Sequence, residues 1–253
     1  MGLSIHIALS LKPGYSPRGA LDALRQRCMD LPFVQVDGAL RELNANGDHE
    51  TDEFSRMLCI HAGTVGEDTF TGEPPDEAEA VGFVAFPGNG CEPLLLGLAK
   101  ARGSERWRWR TACKTQYANA PAHGGRVNFL RCHLSIIALL DAAPAIGLSV
   151  DVVDEGDYWL YRDVHRLDQK LTQYDAMIAG AIGALKDASV SVQAPLLSRP
   201  DFERLEADGN ALFTQQIREL VRLTALDRIH KRHATHDAAR CWSRRHGGGD
   251  VSP

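Results

Sequence analysis

The chain has 253 residues, 44% of them hydrophobic and 24% charged, with a formal net charge of -5. That length supports one sizeable core or two small ones, and the composition excludes disordered, collagen-like and disulfide-scaffold classes. The net acidity disfavours nucleic acid as a partner.

The chain opens without a basic segment leading into an apolar stretch, and its apolar runs fall short of the ~20 residues that span a bilayer. The expectation is a soluble cytoplasmic protein with no membrane segment. Six cysteines, Cys28, Cys59, Cys91, Cys113, Cys132 and Cys241, include no CxxC pair and are expected to be reduced thiols.

In chain order, Ser4 to Leu11 alternates Ile5, Ile7, Leu9 and Leu11 with small or polar residues, which predicts a strand with one buried face. Ser16-Pro17 is a helix start, an N-cap followed by proline, and Leu21, Leu24 and Cys28 follow at helical spacing up to Asp30. Arg56 to His61 and Ala80 to Phe86 read as strands. Between them, Gly63 to Glu79 holds six carboxylates, two prolines and no base, and reads as a loop. Cys91 to Ala101 reads as a short helix with Pro93 in its first turn. Arg106 to Ala112 reads as a strand.

Gly125 to Ala143 is apolar nearly all round and is expected to be a buried central helix. Gly147 to Val153 and Tyr158 to Arg162 read as a hairpin around Asp154-Glu155-Gly156-Asp157, followed by a long helix from about Asp163 to Lys186. Pro195 and Pro200 mark a linker before a helix from Ala211 to Arg232. Arg228 to His246 carries six bases and one acid, with His230, His233, His236 and Cys241 among them.

The fold class that follows is α+β, a mixed or mainly antiparallel sheet covered by helices, as one domain over 1–232. Residues 233–253 form a basic, histidine-containing tail, expected to be poorly ordered.

Cys91 follows Pro87-Gly88-Asn89-Gly90, and a thiol at a helix N-terminus is held toward its thiolate. It is therefore the expected reactive cysteine. Cys132, in mid-helix on an apolar face, is the expected inert one. The bland alternative for Cys91 is a tight turn.

Arg106-Trp107-Arg108-Trp109-Arg110 alternates, so Arg108 and Arg110 project from one face as a cationic ladder while Trp109 and Cys113 lie on the other. That ladder suits an anion, or carboxylates of the chain itself.

Cys113 to Tyr117 reads as a strand-end loop, which makes Lys114, Gln116, Tyr117 and His123 ligand-contact candidates. His123-Gly124-Gly125 is a weak anion nest. His133, flanked by Phe129, Leu130, Ile136 and Ile137 one turn away, reads first as a buried core histidine and second as a general base.

The acidic cluster Asp151, Asp154, Glu155 and Asp157 departs from the calcium-loop spacing, so a solvated turn is expected and no metal. No cofactor motif is present: GxGxxG fails at Pro93.

Two functions fit these residues. One is a non-catalytic module binding a small anionic ligand or a protein partner, and the other is a small enzyme with Cys91 or Cys113 as nucleophile and a histidine such as His133 or His123 as base. The sequence leaves open which of them applies, and it leaves the oligomeric state open too.

Overall fold

The computed structural model describes residues 3–43, 79–100, 104–216 and 218–219. The strand expected at Arg56 to His61, the loop from Gly63 to 78 and the tail 233–253 lie outside the described residues. The chain divides into two compact units, 1–174 and 175–253, with the expected domain boundary at 232 also outside the described residues.

The first unit is α+β. Its strands are β1 (Ser4–Leu11), β2 (Gln35–Val36), β3 (Arg41–Leu43), β4 (Glu79–Phe86), β5 (Leu94–Lys100), β6 (Arg108–Lys114) and β7 (Leu148–Asp154). They form one sheet in the order β2-β4-β5-β6-β1-β7, with β3 also pairing β4, and every pairing is antiparallel.

Two helices cover the sheet. Helix α1 (Pro17–Asp30) starts where Ser16 caps it, the Ser16 hydroxyl accepting from the Gly19 N–H at 3.3 Å, and buries Leu21, Leu24 and Cys28. Helix α2 (Gly125–Ala142) buries Phe129, Cys132, His133, Ile136, Ile137, Leu139 and Leu140. Its Ile136, Ile137, Leu139 and Leu140 join Ile5, Ile7, Leu9, Trp109 and Cys113 of the sheet in one core. By length and hydropathy the stretch Gly125–Ile146 also reaches what a membrane-crossing helix needs, with half of it buried inside the protein.

Three sequence expectations in the first unit are corrected. The helix expected from Cys91 to Ala101 is instead strand β5, laddered to β4 from Glu79↔Lys100 to Ala85↔Leu94. Leu94 to Ala99 is buried throughout, and a strand buried on both faces reads as a continuous apolar run that periodicity does not separate from a helix. Strand β6 begins and ends two residues later than expected, because β1 pairs it as far as Ser4↔Lys114.

The second hairpin strand, Tyr158 to Arg162, is instead a short helix α3 (Tyr158–Tyr161). Its cause is local: the Asp154 carboxylate accepts from the Gly156 and Trp159 N–H groups, each at 2.8 Å, and winds the chain back on itself. The Arg162 guanidinium then lies 4.6 Å from the Trp159 ring centroid. Helix α4 (Val164–Asp187) follows and contributes Leu167 and Leu171 to a second cluster with Leu3, Phe129 and Cys132.

The second unit begins within α4, at Asp175. A helix over 202–216 starts well before the expected Ala211, and the rest of the span to Arg232 lies almost wholly outside the described residues. Ala176, Ala179 and Ile182 pack with Phe202 and Leu205. Arg199 donates to Asp175 at 2.6 Å and to Asp201 at 2.9 Å.

Candidate functional site

Strand alternation divides the residues of β6 between two faces. Trp109 and Cys113 point inward and are fully buried, the Trp109 indole N–H donating to the Leu95 carbonyl at 3.1 Å. Arg108, Arg110 and Ala112 are exposed on the other face, and Lys114 is half-buried at its end.

The register continues this outer face across the neighbouring strands. Ser10 lies between Arg108 and Ser149, Ala8 between Arg110 and Asp151, and His6 between Ala112 and Val153. Ser10, Ala8, Ser149 and Ala112 are short beside the two arginines, which stand about 6.8 Å apart along the strand, while His6 and Val153 flank the Ala112 end. Neither arginine has an ion-pair partner among the described residues, although the chain's acids outnumber its bases. Asp151 sits two strands from Arg110, about 10 Å away. The Lys114 ammonium lies 5.2 Å from the ring centroid of Tyr117, which is 51% exposed, and this pair ends the cationic stripe.

Behind the end of that stripe three thiols gather. The turn Pro87 to Cys91 closes with the Cys91 N–H on the Gly88 carbonyl at 3.1 Å. It rests on α2 through Asn128, whose amide donates to the Asn89 carbonyl at 2.8 Å. Gly88 and Gly90 are required here. A Cβ on Gly88 would stand 2.4 Å from the Cys132 sulfur, and one on Gly90, at φ +79°, would stand 2.6 Å from His123 Cδ2.

Cys91 packs against the cluster that contains Cys132, and the Arg131 guanidinium approaches the Cys132 sulfur at 3.6 Å while donating to Asn128 at 2.7 Å. Cys113 donates to the Glu92 carbonyl at 3.2 Å, and Glu92 in turn accepts from the Lys114 N–H at 3.0 Å.

The protonation preferences of the three thiols run against the helix-start expectation. The hydrogen bond from the Cys91 thiol, together with the Arg131 charge, outweighs burial and holds Cys132 below the usual thiol range. Sharing that hydrogen bond, and burial, push Cys91 up. Burial and the nearby Glu92 carboxylate push Cys113 up as well. Cys91 loses its expected advantage because β5, with no helical N–H groups to offer, follows it.

One residue along α2, His133 belongs to a different chain of contacts. Its Nδ1 lies 3.0 Å from the Thr115 hydroxyl, and its Nε2 lies 3.2 Å from Asp154 Oδ1, close enough for an ion pair though out of line for a straight hydrogen bond. The Asp154 carboxylate at Nε2 and the Thr115 hydroxyl at Nδ1 hold the ring between them. All three side chains are sealed from water. Burial raises the Asp154 carboxyl, but its contact with His133 and the two N–H groups it accepts outweigh that and hold it below the usual value. Asp154 is therefore a buried anchor, in contrast to the solvated turn expected of its cluster, and the chain ties β6, α2 and β7 together. A hydroxyl closed off in this way cannot reach a substrate.

Of the sequence candidates, Lys114 and Tyr117 stand at the surface with Arg108 and Arg110 on the outer face. His123 is exposed beside Gly90. Gln116 is buried, its Oε1 accepting from the Leu3 N–H at 3.1 Å, and so acts as a clamp on the start of β1. Cys91 and Cys113 have Cys132 and the Glu92 carbonyl as their partners, with no thiol-imidazole hydrogen bond among the described residues. No group of side chains arranged to hold a metal ion occurs among the described residues.

Sequence reasoning missed Asn128, Arg131 and Cys132 as one contact set. Their i, i+3, i+4 spacing places them on one helix face, which is the signal that was available. Comparison with known proteins finds no matching family model, no similar curated protein and no similar solved structure.

Proposed function

We propose that the protein is a binding module whose outer sheet face takes an extended anionic ligand, most simply an acidic segment of a protein partner. The observation that carries this reading is the exposed pair Arg108 and Arg110, without ion-pair partners among the described residues of a chain in which acids exceed bases. Guanidinium groups match carboxylates in charge and in their forked geometry. Two of them at strand spacing meet alternate side chains of another extended chain laid along β6. Ser10, Ala8 and Ala112 leave room for it, and Lys114 with Tyr117 adds a cation and an aromatic ring at one end.

The test is fluorescence anisotropy with a labelled peptide of alternating glutamate and serine. Replacing both arginines, Arg108→Ala with Arg110→Ala, is expected to weaken binding about tenfold or more, since charge-assisted hydrogen bonds are lost, and to leave the fold intact. A small dicarboxylate is expected to bind more weakly than the peptide. Equal affinity of the double variant overturns the reading, and tighter binding of a single-stranded oligonucleotide replaces it with recognition of a phosphate backbone.

A further inference from the structure

The thiol cluster plays no part in binding at the outer sheet face, and its geometry supports a chemistry of its own. Cys91 is half-buried at the end of a turn, while Cys132 lies fully buried directly behind it. The backbone of Gly88 lies so close to the Cys132 sulfur that no side chain fits between them. Cys91, three residues on in the same turn, packs against the cluster that contains Cys132. Arg131 supplies positive charge at 3.6 Å from the Cys132 sulfur, and Asn128 bonds both Arg131 and the turn. Cys113 is set apart, its thiol engaged by the Glu92 carbonyl on the inner face of β6.

We propose that Cys91 and Cys132 are a reversible redox site for a hydroperoxide, Cys91 being the sulfur that meets the oxidant and Cys132 the one that closes the disulfide. Cys91 passes its proton to Cys132 and its sulfur attacks the peroxide. The O–O bond breaks, the departing oxygen leaves as water or an alcohol with that proton, and Cys91 becomes a sulfenic acid. The Cys132 thiolate, opposite Arg131, then attacks the Cys91 sulfur. The S–O bond breaks and hydroxide leaves as water after taking a proton from solvent. In sum, two thiols and one hydroperoxide give one disulfide, one water and one alcohol, or two waters from hydrogen peroxide. The two electrons lost by the sulfurs reduce the O–O bond. A small-molecule thiol reverses the change by exchange at the half-buried Cys91 sulfur, the more accessible of the two.

Low equivalents of hydrogen peroxide applied to the reduced full-length chain, followed by denaturing alkylation and peptide mapping, test the site. The expected product is a Cys91–Cys132 cross-linked peptide pair that disappears with dithiothreitol, with Cys28, buried and pushed up to about 12, still alkylated as a thiol. Cys113→Ser is expected to leave the cross-link unchanged. Cys132→Ser is expected to leave Cys91 as a sulfenic acid trapped by dimedone. The proposal is overturned if Cys91 runs on to sulfinic acid while Cys132 stays free, if Cys91 pairs with Cys113, or if Cys28 oxidises before Cys91. The mapping uses the unaltered chain, so its outcome stands whether or not a variant folds.

Discussion

The two faces of strand β6 are made from the same seven residues and do opposite things. Inward, Trp109 and Cys113 are fully buried, the indole meeting the Gly97 backbone and hydrogen-bonded to Leu95. Outward, Arg108 and Arg110 stand in water with no ion-pair partner among the described residues. The period of two buries one side chain in the core and leaves its neighbour in water, where the proposed function places recognition. Adjacent substitutions therefore separate the two properties.

The largest expected effect is on the inner face. Trp109→Ala leaves a large cavity and removes the indole hydrogen bond to the Leu95 carbonyl, and is expected to cost about 3–5 kcal/mol in urea unfolding. A loss below ~1 kcal/mol would mean that this face is not the core.

Asp154→Ala, at the end of β7, is expected to cost about 3 kcal/mol, because it leaves the His133 imidazole without its carboxylate partner and the Gly156 and Trp159 N–H groups without their acceptor. The same carboxylate gives a pH dependence. Its folded pKa lies below the ordinary 3.8, so the stability it adds is fully present above that value and is lost as pH falls through the folded one. Acid unfolding of Asp154→Asn is expected to lack that loss, and an unchanged acid limb would sink the assignment. Smallest is the outer face: Arg108→Ala and Arg110→Ala together are expected to move stability by no more than about 0.5 kcal/mol. A large loss would make the ladder structural.

What the sequence made legible follows the same division. Strand β1, the Ser16 cap, the α2 helix and the two faces of β6 are written in local spacing, and the α+β class follows from them. Strand β5 was hidden because an apolar run covered on both sides has no period to read. The turn at Tyr158 was hidden because the Asp154 side chain, and not the intrinsic strand preference of Tyr and Trp, decides it. The thiol cluster joins residues from a turn, a strand and a helix that are between 19 and 41 positions apart, and only the paired sheet brings them together. His133 was legible as a buried residue from its apolar neighbours. Its partners Thr115 and Asp154 were not, since each comes from a different strand end.

The outer face is tested most directly by chemical-shift mapping of the ¹⁵N-labelled full chain titrated with the alternating glutamate peptide. The account predicts saturable shifts at the amides of Arg108, Arg110, Ala8, Ser10 and Lys114, lost together in the Arg108→Ala and Arg110→Ala double variant. Shifts confined to Cys91, His123 and their turn, or none on β6 and β1 at saturating peptide, would contradict it.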